Sequence, residues 1–196
     1  MPIKNKSKFK NFWVAEGFRY ILVLAIVGAI CGFAISFANS ITAPVIVANE
    51  QARLQAMLEE MMPEADEYKL VMKDDVDVYL GIKNREILGA VVPGEGKGFY
   101  GDPVRVLTLL DSEGKIEEVL VQKHKETPGM GDKIKNPIFL SQFPAVSSGV
   151  SFHKEQESED ILIAGVDVIT GATVSSQAVI EGVAQAIDLY LALSLD

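Results

Sequence analysis

Eighteen consecutive residues, Ile21 to Ala38, carry no charge, and the next charged side chain is Glu50. Coiled as an α-helix, such a run is roughly 27 Å long, close to the hydrocarbon thickness of a bilayer. It predicts one transmembrane helix, assigned to residues 21–44, with a tail before it and a body after it. Lys4, Lys6, Lys8, Lys10 and Arg19 against Glu16 give residues 1–20 a balance of +4. Lys and Arg concentrate on the cytoplasmic side of a span, so this basic tail is expected in the cytoplasm and the body, residues 45–196, is expected to be extracytoplasmic. Trp13 and Tyr20 suit the interface. The resulting expectation is a single-pass protein of the cell (inner) membrane. A cleaved signal peptide begins in the same way, but its apolar core is usually only about 7–15 residues long, and the length here favours a retained anchor.

The whole chain has 18 Lys and Arg against 27 Asp and Glu, a net charge of -9. Beyond Tyr20 that leaves 13 basic and 26 acidic residues, a balance of -13. Such a body is ill suited to nucleic acid, whose phosphates need clustered Lys and Arg. Cys31 is the single cysteine and lies within the apolar run, so neither an intramolecular disulfide nor a cysteine metal cluster is available. His124 and His153 have no second His or Cys at ligand spacing, and no metal site is expected.

Beyond the span, Val45 to Met62 reads as a continuing helix stopped by Pro63. Val78–Ile82 and Ile87–Val92 read as strands around the polar turn Lys83-Asn84-Arg85-Glu86. Val104–Leu110 and Ile116–Lys123 form a second expected hairpin around Asp111-Ser112-Glu113-Gly114. A glycine-rich stretch, Gly94 to Gly101, lies between the two hairpins. Pro137 to Phe143 suggests a short helix, Ser147 to Asp160 an exposed polar loop, and Ile161 to Val168 a buried strand. From Ser175 to Leu193, apolar residues at 179, 180, 183, 187, 190 and 191 have helical spacing. Hairpins followed by a strand, a turn and a helix predict an α+β fold, with a mainly antiparallel sheet and flanking helices behind the N-terminal span.

The last strand and helix are joined by Asp167-Val168-Ile169-Thr170-Gly171-Ala172-Thr173. Gly171 permits a turn with positive φ, and small residues at 171 and 172 allow close backbone approach. Thr173, Ser175 and Ser176 then open a helix whose first N–H groups lack intrahelical partners, a setting that attracts phosphate. The Thr173 hydroxyl has three possible uses there: it can cap the helix, bond a phosphate, or be joined to one. Gly96 to Gly101 also satisfies G-x-G-x-x-G literally, but that dinucleotide fingerprint requires a helix directly after it. Asp102-Pro103 and a strand-like run follow instead, so the match is fortuitous and Tyr100 is assigned to a pocket wall or the core. In Thr127-Pro128-Gly129-Met130-Gly131, a rigid residue beside two without side chains makes a turn, which reads as an ordinary loop between a strand and a helix or as one that presents bare N–H groups to a ligand.

Asp167-x-x-Thr170-Gly171-Ala172-Thr173 resembles the flavinylation motif D-x-x-[S/T]-G-A-T of the FMN-binding domain family, found in the RnfG and NqrC subunits of membrane redox complexes. The other features of that family stand in the same order: one N-terminal span, Gly98-Phe99-Tyr100-Gly101, and His124-Lys125-Glu126-Thr127-Pro128-Gly129-Met130-Gly131. The likeness covers almost the whole chain, and its compact length is more similar to RnfG than to the longer NqrC. The resemblance implies FMN bound covalently through a phosphoester to Thr173. It assigns Asp167, Thr170, Gly171, Ala172, Ser175, Ser176, Glu126, Thr127, Gly129 and Tyr100 to the cofactor site, with His124 either a contact or a structural residue. It also implies a flavin transferase for maturation, with FAD as donor, and other membrane subunits of an Rnf complex as partners.

On this reading the chain is an electron-carrying subunit of an ion-translocating ferredoxin:NAD oxidoreductase, with no substrate turnover of its own. FMN in another membrane or extracellular electron chain is the nearer alternative. A membrane-anchored hydrolase with Ser175 or Thr173 as nucleophile, or a structural subunit without flavin, is the more distant one; the G-x-S-x-G elbow of many hydrolases is absent.

Overall fold

The apolar run after Tyr20 lies within α1, an α-helix over Lys6–Met61 that continues through Pro44. A computed structural model of the chain describes residues 6–147 and 165–193, with side chains from residue 18 onward. The chain divides into two units, Met1–Arg53 and Leu54–Asp196. In the first unit, Phe18, Leu24, Phe33 and Ile35 of α1 are exposed along with most of their neighbours. Among the described residues, only this helix is long and apolar enough to cross a membrane.

The second unit is built on a five-stranded sheet: β1 (Glu67–Lys73), β2 (Val76–Lys83), β3 (Glu86–Lys97), β4 (Pro103–Asp111) and β5 (Ile116–Lys123). The strands lie in chain order, and every neighbouring pair is antiparallel. Two-residue turns set the first registers. Lys73 pairs with Val76 and Lys83 with Glu86, while Asp74, Asp75, Asn84 and Arg85 all have positive φ. Positive φ at both central residues gives a turn whose twist matches the strands it joins. After β5 come a 3-10 helix (Gly131–Lys135), α2 (Pro137–Leu140) and α3 (Gln142–Ser147), and the domain closes with α4 (Thr173–Leu193).

Alternation along the strands supplies two cores, one on each face of the sheet. Ala90, Val92, Val104, Val106 and Leu110 meet Ala178, Val179, Val183 and Ile187 of α4. On the other face, Val91, Leu107 and Leu109 pack under Leu58, Met61 and Met62 from the end of α1 and the residue after it. Tyr68 Oη, 2.9 Å from the Met62 carbonyl oxygen, ties that end to β1.

Three expectations change. The strand expected over Ile87–Val92 does not stop there: β3 continues through the glycine-rich stretch as far as Lys97. Gly94 and Gly96 face α4 so closely that an added Cβ would lie 1.9 Å from the Gly182 and Ala178 carbonyl oxygens. These glycines let a helix rest directly on a strand. Ile161–Val168 is not a strand where it is described: residues 166–169 have no ladder partner, and residues 161–164 lie outside the described residues. Val166 is buried nevertheless, so the apolar signal was real while its element was misread. Ser147, expected in an exposed loop, is fully buried at the end of α3, where its Oγ accepts from Ile116 N at 2.7 Å. The rest of that loop, residues 148–160, lies outside the described residues.

Candidate functional site

Three four-residue turns meet at the start of α4. In the first, Gly101 N donates to Gly98 O at 3.0 Å, and Gly101 has φ +84. The second spans Thr127 to Met130, closed by Met130 N to Thr127 O at 3.2 Å, with Pro128 second and Gly129 third at φ +79. The third spans Ile169 to Ala172, closed by Ala172 N to Ile169 O at 2.9 Å, again with its third residue, Gly171, at φ +79. Proline fits the second position of such turns by its fixed φ, and glycine fits the third because it tolerates positive φ.

Glu126 fastens these pieces. Its carboxylate accepts from Phe99 N at 3.0 Å through Oε1 and from the Ser175 hydroxyl at 2.5 Å through Oε2. Both Glu126 and Ser175 are buried. The space is made by glycine: a Cβ on Gly98 would come 2.2 Å from Glu126 Oε1, and one on Gly131 would come 2.8 Å from Glu126 Oε2 and Ser175 Oγ. Glu126 N in turn donates to Nδ1 of His124 at 3.2 Å. Tyr100 and Thr127 join the first two turns through their hydroxyls, 3.1 Å apart. The third turn is held to α4 by Ile169 N, which donates to Ser176 Oγ at 3.1 Å.

Thr173 stands apart from this network. It is the first residue of α4 and is exposed. The capping position before it is occupied by Ala172, whose carbonyl accepts from Ser176 N at 2.8 Å. An alanine has no side chain with which to cap, and Thr173 is one position too late to take that role. The backbone N–H groups of Thr173, Val174 and Ser175, like the Thr173 hydroxyl, have no hydrogen-bond partner among the described residues. Around this end of the helix, Phe99, Tyr100 and Met130 are 63%, 65% and 55% exposed, a large apolar surface for three neighbouring loop residues. The rings of Phe99 and Tyr100 meet edge to face, with centroids 5.1 Å apart.

Of the remaining expected residues, Asp167 and Thr170 are exposed. The Asp167 backbone is gripped from both sides by Gln142, whose Oε1 accepts from Asp167 N at 2.7 Å and whose Nε2 donates to Asp167 O at 3.3 Å. Gln142 was not anticipated: one glutamine in a short helical segment leaves no pattern in a sequence. Gly98 and Gly131 were quoted as motif letters, but the reason for them, room for one carboxylate, emerges only in three dimensions. No group of three or more His, Cys, Asp or Glu among the described residues is placed to hold a metal ion.

The groups exposed here match FMN in chemistry. Unpartnered N–H groups and a free hydroxyl suit its phosphate, and exposed aromatic and thioether surface suits its ring. The hydrolase alternative finds less support, since Ser175 is only 3% exposed and its hydroxyl is already bonded to Glu126.

Comparison with known proteins agrees. Residues 98–188 match the FMN-binding domain family. The G subunit of the Na(+)-translocating ferredoxin:NAD(+) oxidoreductase complex of Acetobacterium woodii is 26% identical over 98% of this chain and 100% of that protein. Its counterpart in the proton-translocating ferredoxin:NAD(+) oxidoreductase complex of Clostridium ljungdahlii is 30% identical, covering 84% of this chain and 86% of the relative. The G subunit of the ion-translocating oxidoreductase complex of Photorhabdus laumondii is 31% identical over 84% of this chain and 86% of its own. Among solved structures, NqrC of Shewanella oneidensis matches with a TM-score of 0.43 and 23% identity over 67% of each chain.

Proposed function

The chain belongs to the RnfG family, the G subunits of ion-translocating oxidoreductase (Rnf) complexes, and from that membership we infer an electron-relay subunit that carries FMN as a phosphoester on Thr173. One observation carries the covalent assignment: Thr173 presents an exposed, unbonded hydroxyl at the first position of α4, beside three unpartnered N–H groups. A capping threonine would instead sit one residue earlier, with its oxygen on one of those N–H groups.

FMN supplies reversible electron transfer; the chain supplies its position and surroundings. In this reading the N–H groups of residues 173–175 and the dipole of α4 stabilise the phosphate charge. Gly171 and Ala172 leave room for the backbone to approach it, and Ser176 holds their turn against the helix. Tyr100, Thr127 and Gly129 border the ring, and the buried carboxylate of Glu126 fixes the turns that carry them. Asp167 and Thr170, both exposed, complete the motif that ends at Thr173 and are assigned to the same cofactor site, which a flavin transferase with FAD as donor would load. The α1 span would anchor the domain beside other membrane subunits, with the basic tail in the cytoplasm and the FMN domain outside.

The test is intact mass with in-gel fluorescence, comparing wild type and Thr173→Ala, each produced with a flavin transferase. Added mass equal to FMN minus water, with fluorescence that survives denaturation and is lost in Thr173→Ala, is the expected result. An unmodified wild type beside a control protein modified by the same transferase would overturn it.

A further inference from the structure

Away from the three turns, two neighbouring cavities lie on the face of the sheet that meets the end of α1. The larger, about 610 Å³, has an apolar floor that includes Met61, Leu109, Leu120 and Leu140. The smaller, about 300 Å³, shares Met61, Leu109 and Glu117 with it and extends past Leu88. The larger is an open groove, and none of the residues lining either cavity belongs to the FMN site described above.

The rim of the groove is acidic. Glu60, Glu117 and Glu118 line it, and none has an ion-pair partner among the described residues. The one cation along the lining is Lys135. Burial, and secondarily the charge of Glu60, pushes the Glu118 carboxyl above its ordinary value. Two carboxylates therefore share the edge of an apolar floor without a paired cation, which is unfavourable for the isolated domain.

We propose that this groove is a docking site for a basic segment of another subunit, with a Lys or Arg head between Glu60 and Glu118 and its alkyl stem on Met61, Leu109 and Leu120. Long cationic side chains cover apolar surface with their stems while their heads reach charge, and complementary charge steers and registers association. Other occupants fit less well. Lipid phosphates are repelled by the rim, and a second acidic body, with its balance of -13 beyond Tyr20, brings more of the same charge. The inference takes from the proposed function only that other subunits exist.

Photo-cross-linking in membranes that contain the assembled complex tests it, with a photoreactive amino acid at Ser141, an exposed lining position. The expected product joins Ser141 to a Lys- or Arg-bearing segment of a different subunit, mapped by mass spectrometry. Its yield should fall about tenfold in the double variant Glu60→Gln, Glu118→Gln. In the unmutated rim, raising salt from about 0.05 to about 0.5 M should lower the yield in the same sense, which keeps the test independent of the variant's folding. Products only with lipid or with a second copy of this chain would overturn the proposal, as would a yield indifferent to both charge removal and salt. Flavin retained on Thr173 in the same samples reports separately on the proposed function.

Discussion

The Ser175 hydroxyl donates to Oε2 of Glu126 at 2.5 Å, across 49 positions of sequence, and both groups are buried. This bond fixes the start of α4 to the strand-end segment that carries the second turn. The other carboxylate oxygen holds Phe99 N of the first turn, so one side chain sets the relative positions of three segments. Removing the hydroxyl with Ser175→Ala leaves a buried carboxylate oxygen with one donor fewer. A cost of about 1–3 kcal/mol is expected, read as a lower midpoint in urea or thermal unfolding of the detergent-solubilised chain. An unchanged midpoint would mean that water or a rotated Glu126 replaces the bond at no cost.

Thr173 and Ser176 sit three residues apart at the same helix start but should respond to very different degrees. Thr173→Ala removes an exposed, unbonded hydroxyl and should change stability by less than about 0.5 kcal/mol. Ser176→Ala strips Ile169 N of its acceptor and should cost about 1 kcal/mol or more. Unfolding curves of the two variants without flavin check the contrast. A Thr173→Ala variant as damaged as Ser176→Ala would mean that the hydroxyl has a structural duty.

Gly94→Ala and Gly101→Ala isolate two different demands on glycine. At Gly94 the new methyl meets the backbone of Gly182, which cannot rotate away, and a loss of about 3 kcal/mol is expected. At Gly101 there is open space, and only the φ of +84 is unsuited to alanine, which costs about 1 kcal/mol. Equal losses would show that α4 can lift from β3 and still pack.

Glu118 makes the acid side of the stability curve informative. Its folded-state pKa is raised, by burial first and by Glu60 second, so the folded domain holds this proton more tightly than the unfolded chain does. The group's contribution is then fully present below its ordinary carboxylate value and is lost as pH rises through the raised one. Glu118→Gln should therefore be more stable than wild type at neutral pH, with the difference closing as the solution is acidified. Unfolding midpoints over pH 3–8 measure this; a variant less stable at neutral pH would contradict the sign.

The order of elements was readable because the hairpins announce themselves: Val78–Ile82 and Ile87–Val92 flank a polar turn, as do Val104–Leu110 and Ile116–Lys123. Strand β1 was not read. Tyr68, Leu70 and Met72 do alternate, but Glu67, Lys69 and Lys73, on the intervening and flanking positions, belong to an edge strand, where charge is tolerated and the apolar pattern is diluted. The strand was expected to end at Val92 because glycine disfavours strands, yet at Gly94 and Gly96 a helix backbone fills the space that side chains would need. At the site, the motif letters marked two of the three turns, at Thr127 to Met130 and Ile169 to Ala172, and singled out Thr173. What they could not convey was which groups are inward: Glu126 has both oxygens bonded within the protein, and Asp167 is positioned through its backbone by Gln142. Those facts depend on contacts between residues far apart in sequence, which one sequence does not record.

Pairing between β2 and β3 ends at Tyr79 and Val91, so β3 runs on alone along one side as far as Lys97. Two amides on that stretch are nevertheless occupied: Glu95 N donates to Gln185 Oε1 at 2.7 Å, and Lys97 N to Glu181 Oε2 at 3.1 Å, from successive turns of α4. The helix that opens at Thr173 thus also acts as a substitute neighbour for a strand that has run out of one. A foreign β-segment seeking that ledge would first have to displace two side chains, which guards the domain against sticking to copies of itself during assembly.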